Sequence, residues 1–175
     1  MNRLKANRNP RILIIDDEAA ILQSFADYLE DMEYQTLVAE NGRIGLELFE
    51  KDTVDLVLVD LKMPEVDGLK VLSSIAKLSP ETPLIAISGT GNIGDVVDAL
   101  HMGAWDYLLK PIENLSVLSH AITSALEKSR LKKENLIYQQ YLENAVDDQK
   151  EELKKANNHF YNDETSRNIP HIKIN

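Results

Sequence analysis

Residues 55–69 read DLVLVDLKMPEVDGL. An unbroken run of Leu and Val, closed by an acid and then by Met-Pro and Asp-Gly, is the pattern of a β-strand covered on both faces that ends in a loop. Two runs of the same kind stand on either side of it, RILII at 11–15 and PLIAI at 83–87, and two weaker ones are YQTLVA at 34–39 and WDYLL at 105–109. Between them the apolar spacing changes to that of a helix, as in Ile21, Leu22, Phe25, Leu29 and in Ile93, Val96, Val97, Leu100. Asn41-Gly42, Ser79-Pro80 and Met102-Gly103 supply breaks at the boundaries. Strands alternating with helices predict an α/β fold: a five-stranded doubly wound parallel sheet with five helices, the last starting near Asn114.

A chain of 175 residues holds one domain and an appendage. With no cysteine, disulfides, zinc thiolate sites and cysteine nucleophiles are excluded. The net charge of −10 is uneven, because residues 1–125 carry 10 Lys/Arg against 20 Asp/Glu and the rest carry 9 against 9. Such a field repels phosphate backbones and attracts cations, so no nucleic-acid partner is expected. No run approaches the about 18 apolar residues of a membrane span, and MNRLKANRNP lacks the apolar core of a signal peptide; the expectation is a cytoplasmic protein without membrane association.

Four segments follow: a flexible N-terminus at 1–9, the α/β domain at 10–128, a helical or coiled-coil extension at 129–157, and a flexible polar tail at 158–175. From Asn114 to about Asn157 there is no Gly or Pro. Leu115, Leu118, Ile122 and Ala125 continue the domain core, whereas Leu142, Val146, Gln149, Leu153, Ala156 and Phe160 alternate at spacings of four and three, the seam of a coiled coil with one polar position. Seven basic residues in 126–156 are matched by seven acidic ones, so charge does not oppose pairing, and a homodimer through this helix is expected.

In an open parallel sheet the chemistry lies at the carboxyl ends of the strands. Here those ends carry Asp16-Asp17-Glu18, Asp60, Ser88-Gly89-Thr90 and Lys110-Pro111. Taken singly, Asp17 is a fair helix cap, and Asp60, Ser88 and Lys110 are ordinary loop or surface groups. Together they place several carboxylates, a hydroxyl and an ammonium at one edge. Carboxylates forced together raise one another's pKa, a cost that a hard divalent ion relieves, and Mg2+ suits a site with few carboxylates and several waters.

IIDDE (14–18), LVDLKMPEVDGL (58–69), AISGTG (86–91) and GAWDYLLKP (103–111), in this order and at these strand ends, resemble the receiver domain of bacterial two-component response regulators over about residues 10–128. The resemblance implies a (βα)5 flavodoxin-like fold and a set of roles. Asp60 is then the phosphoacceptor that takes a phosphoryl group from a sensor histidine kinase. Asp16, Asp17, Asp60 and the main-chain carbonyl of Lys62 hold Mg2+, and Lys110 pairs with a phosphoryl oxygen. Ser88 is the hydroxyl that follows the phosphate, Gly89 leaves it accessible, and Tyr107 is the aromatic that turns inward with it. Lys62 and Thr90 occupy positions that tune phosphoryl lifetime.

The expected function is therefore signalling by a phosphorylation-dependent protein contact, with no enzymatic turnover beyond gain and loss of the phosphoryl group. The alternative is a relay intermediate that passes the group to a histidine phosphotransfer domain. A haloacid-dehalogenase-type phosphatase fits poorly, since its nucleophile belongs at the first strand. Trp105 and ENLSVLSHAITSALEKSRLKKEN (113–135) resemble receivers that continue through a helical stalk into an output domain; none follows in these 175 residues, which favours a stand-alone receiver over a transcription factor. His101, His120, His159 and His171 have no metal-ligand spacing.

Overall fold

The computed structural model describes residues 8–64 and 66–167. Its elements alternate as β1 (Arg11–Ile15), α1 (Ala19–Asp31), β2 (Gln35–Ala39), α2 (Gly42–Lys51), β3 (Leu56–Asp60), α3 (Gly68–Leu78), β4 (Leu84–Ser88), α4 (Ile93–His101), β5 (Asp106–Leu109) and α5 (Leu115–Arg167). The strands form one parallel sheet in the order β2-β1-β3-β4-β5. This is the expected five-stranded flavodoxin-like fold, and each strand lies within one or two residues of its apolar run.

Two-residue alternation along the central strands feeds two cores. Ile12, Ile14, Leu56, Leu58, Ile85 and Ile87 pack with Leu22, Phe25 and Leu29 of α1 and with Leu118 and Ile122 of α5. Leu13, Ile15, Val57, Val59, Leu84 and Ala86 face the other way, onto Val71, Leu72 and Ile75 of α3 and Ala99 of α4. Burial on both faces is the physical reason Ile12–Ile15, Leu56–Val59 and Leu84–Ile87 include no polar residue.

The boundary residues act by side-chain capping. Asn41 accepts from the Ile44 N–H at 2.9 Å, Asp67 from the Leu69 N–H at 3.1 Å, and Asn92 from the Gly94 N–H at 2.9 Å. Asn114 does the same for Ser116 at 2.9 Å, which starts α5 where the sequence placed it.

The chain divides into two compact units, the first ending at Leu131 and the second beginning at Lys132. In the first, Leu118, Ala121, Ile122 and Ala125 are buried, Ser129 donates to the Glu81 carbonyl at 3.1 Å, and the Lys128 ammonium lies 5.2 Å from the centre of the Trp105 ring. In the second, helix continues to Arg167, past the end expected near Asn157. The polar run from Asn158 is helical that far because no Gly or Pro interrupts it before Pro170. Leu136, Ile137, Tyr138, Tyr141, Leu142, Val146 and Leu153 of this unit are exposed. Most of the expected N-terminal segment (1–7), residues 168–175 with His171, and the side chains of Ala156, His159 and Phe160 lie outside the described residues. No helix among the described residues is long and apolar enough to cross a membrane.

Candidate functional site

The register of the sheet brings the acids together. Ile15 of β1 pairs with Val59 of β3, so Asp16 and Asp60, each one residue further on, sit side by side at the ends of adjacent central strands. Asp16 is 1% exposed and Asp60 4%, whereas Asp17 is open to solvent. Carboxylate oxygens of Asp16, Asp17 and Asp60 lie within 4.8 Å of one another.

Lys110 reaches into this group from the end of β5. Its Nζ stands 2.8 Å from Asp16 Oδ2, 3.0 Å from Asp60 Oδ2 and 3.2 Å from Glu18 Oε1. The lysine backbone is fixed at the sheet edge, where its N–H donates to the Ser88 carbonyl at 2.8 Å, and the peptide to Pro111 is cis. The Lys62 N–H donates to Asp60 Oδ1 at 3.2 Å and the Glu18 N–H to Asp16 Oδ1 at 2.9 Å, so both buried acids are held by main chain as well as by the ammonium.

Burial pushes the Asp16 carboxyl above the ordinary carboxylate range, and the Asp60 charge adds to this against the hydrogen bonds and charge from Lys110 and the Glu18 N–H. For Lys110, burial acts to lower the ammonium's pKa, but the hydrogen bonds and charges of Asp16 and Asp60 outweigh it and hold the value above that of an ordinary lysine. The site is thus an acid pair joined by a cation that stays charged.

A second set of polar groups adjoins the first. Ser88, fully buried at the end of β4, has its Oγ 3.1 Å from Thr90 Oγ1 and accepts from the Thr90 N–H at 3.3 Å. Thr90 Oγ1 donates to Asp95 Oδ2 on α4, and the Lys62 ammonium lies 3.4 Å from the same oxygen. The Tyr107 hydroxyl donates to the Thr90 carbonyl at 3.0 Å, which ties β5 to this loop. The Thr90 hydroxyl holds Asp95 below the ordinary carboxylate range, with Lys62 adding to it against a burial penalty.

Two glycines give the site its shape. A Cβ at Gly89 would meet nothing within 4 Å, so the loop after β4 is open there. A Cβ at Gly68 would lie 2.1 Å from the Asp60 carbonyl oxygen and 2.6 Å from Leu61 Cα, so α3 starts against the end of β3 as only glycine allows. An open cleft of about 740 Å³, lined by Glu18, Ile21, Ser24, Lys110, Pro111 and Glu113 among others, runs alongside.

All the residues expected at the site converge: Asp16, Asp17, Asp60, Lys62 and Lys110 in the acid group, and Ser88, Gly89 and Tyr107 beside it. Glu18 contributes more than its share as one acid among three, since it contacts Lys110 directly. Asp95 was not expected. Its signal was the acid in the first turn after Asn92, which also reads as a plain helix-end charge.

Residues 12–123 match the family model of the response regulator receiver domain. The transcriptional regulatory protein GlrR of Escherichia coli is 34% identical over 124 residues, which cover 71% of this chain and 28% of that protein. The chain spans between 26% and 35% of the length of the curated relatives it matches. Among solved structures, a CheY-like receiver domain protein from Methanospirillum hungatei superposes with a TM-score of 0.68 at 32% identity, covering 71% of this chain and 98% of that one. TrrA from Thermotoga maritima, solved in complex with Mg2+-BeF, gives a TM-score of 0.61 at 28% identity, covering 66% and 98%. With the family model matched over residues 12–123 and the acid pair, hydroxyl and lysine at the ends of the strands, the chain belongs to the response regulator receiver domain family.

Proposed function

We propose that this chain is the phosphoacceptor of a two-component system, with Asp60 as the modified residue. The observation that carries this reading is the Lys110 ammonium held between Asp16 and Asp60, both almost wholly buried. A carboxylate so placed is a nucleophile whose charge is balanced by an adjacent ammonium. One Asp60 oxygen attacks the phosphorus of a phosphohistidine on a sensor kinase. The new O–P bond forms as the N–P bond breaks, and the imidazole keeps that electron pair. Lys110 then pairs with a phosphoryl oxygen, and Ser88, one residue past Asp60's strand partner Ile87, supplies a hydroxyl to another.

The three clustered carboxylates fit Mg2+, with Asp16, Asp17, Asp60 and the Lys62 carbonyl as its holders. Bound there, the ion supplies charge neutralisation and alignment for phosphoryl oxygens. The chain has no turnover beyond gaining and losing its phosphoryl group, works in the cytoplasm, and signals by a protein contact on the α4-β5-α5 side, where Ile93, Val97 and Leu109 are exposed. Leu142, Val146 and Leu153 form the stripe through which two copies pair.

Intact-mass measurement with acetyl phosphate and Mg2+ tests the assignment. Wild type gains one phosphoryl group that alkali removes, and Asp60→Asn gains none. A phosphate retained by Asp60→Asn overturns it.

A further inference from the structure

We infer that Asp95 is a positioning residue of the Asp60 site, acting through Thr90 to keep the Ser88 hydroxyl proton turned away from Asp60 until Asp60 is modified. The inference rests on the reading of Asp60 as phosphoacceptor and adds to it a residue outside the acid group.

Hydrogen-bond direction carries the argument. A carboxylate accepts and does not donate, so in the contact between Thr90 Oγ1 and Asp95 the single hydroxyl proton of Thr90 goes to Asp95. Thr90 Oγ1 then has only lone pairs for its other neighbour, and in the 3.1 Å contact between the two hydroxyls Ser88 is the donor. Ser88 Oγ already accepts from the Thr90 N–H at 3.3 Å. Both the proton and one lone pair of Ser88 are therefore committed to Thr90.

Asp95 is well placed to impose this order. It lies in the first turn of α4 behind the Asn92 cap, where an acid ordinarily serves the helix end. Here its carboxylate turns instead to Thr90 and to Lys62, whose backbone N–H holds Asp60. The chain Ser88, Thr90, Asp95, Lys62 thus leads from the hydroxyl at the end of β4 back to the residue beside the phosphoacceptor. Tyr107, bonded to the Thr90 carbonyl, is attached to the same loop. A phosphoryl group on Asp60 has to draw Ser88 off Thr90, and Asp95 sets how strongly Thr90 resists.

Asp95→Ala, Thr90→Val and the double variant are compared with wild type, with Asp98→Ala on the same helix as control. Loss of a charge-assisted hydrogen bond shifts such a balance by about tenfold. Asp95→Ala therefore gains phosphate from acetyl phosphate faster and holds it about fivefold to tenfold longer. Thr90→Val does the same, and the double variant goes no further than either single one, because both act on one bond. Without phosphate, the two single variants shift the same backbone amide resonances at Ser88, Thr90 and Tyr107. Asp98→Ala leaves all of these unchanged. A lifetime in Asp95→Ala within twofold of wild type, or lifetimes that multiply in the double variant, overturns the inference, as do unrelated amide shifts in the two singles. A wild-type protein that takes no phosphate on Asp60 defeats the underlying reading instead, and the amide shifts still judge the Asp95 to Ser88 link.

Discussion

Gly68→Ala is the sharpest perturbation the geometry offers. The added methyl lands 2.1 Å from the Asp60 carbonyl oxygen, 2.6 Å from Leu61 Cα and 2.9 Å from the Asp60 carbonyl carbon. All three are main-chain atoms, so no rotamer change relieves the contact, and ordinary contacts at about 3.5 Å require α3 and the end of β3 to part by about 1 Å. The Gly68 N–H donates to the Leu61 carbonyl at 3.3 Å, and that bond lengthens as they part. Overpacking of this kind costs about 1–3 kcal/mol. For a domain of this size the melting temperature then falls by about 3–10 °C. The effect on function is larger than the loss of stability suggests. A nucleophile displaced by about 1 Å loses up to about 100-fold in rate. Calorimetry gives the first quantity, and the rate of acetyl phosphate labelling measured well below Tm gives the second. Gly89→Ala, whose Cβ meets nothing within 4 Å, is the stability control and melts with wild type. If Gly68→Ala melts within a degree of wild type and labels at the same rate, the close approach of α3 to Asp60 does not position the site.

Lys110→Met leaves Asp16 and Asp60 buried without their cation, so in EDTA it is destabilised by about 3 kcal/mol relative to wild type, and millimolar Mg2+ restores part of the loss; equal melting of the two proteins in EDTA contradicts this. Because burial raises Asp16 in the folded state, its own contribution to stability is present below the unfolded pKa and is lost as pH rises through the folded one, and its proton competes with Mg2+ above the usual carboxylate range. Mg2+ affinity measured by calorimetric titration should therefore weaken as pH is lowered, before ordinary carboxylates titrate, and fall about tenfold at neutral pH in Asp17→Ala; an affinity identical in wild type and Asp17→Ala places the cation elsewhere. Deleting the residues after Leu131 gives a monomer by light scattering that still labels on Asp60, whereas the full chain is a dimer at tens of micromolar; a monomeric full chain removes the proposed helix pairing.

The central strands were legible because burial on both faces excludes polar side chains: ILII (12–15), LVLV (56–59) and LIAI (84–87) hold none. Asp16 and Asp60 were legible for the same reason, as the first polar residues after those runs, and Lys110 as the first polar residue after the weaker run that ends at Leu109. Thr90 and Asp95 are different. They lie on an exposed loop and the first turn of a short helix, where Thr and Asp are common for local reasons, and only the folded backbone shows that their side chains meet. The end of α5 was misplaced because polar composition is silent about helix when no Gly or Pro intervenes.

β5 is four residues long, lies at the edge of the sheet and, among the described residues, pairs only with β4. It carries Tyr107, and Lys110 follows directly after its last residue. The acids instead end β1 and β3, each of which is hydrogen-bonded on both sides. The acids thus sit on strands held from both sides, and the lysine that pairs with them follows a short edge strand. Tyr107 lies on that four-residue strand, whose ladder partner is β4, and Lys110 directly follows it, so a displacement of the lysine would reach the tyrosine along the strand itself, three residues back, and not through the core.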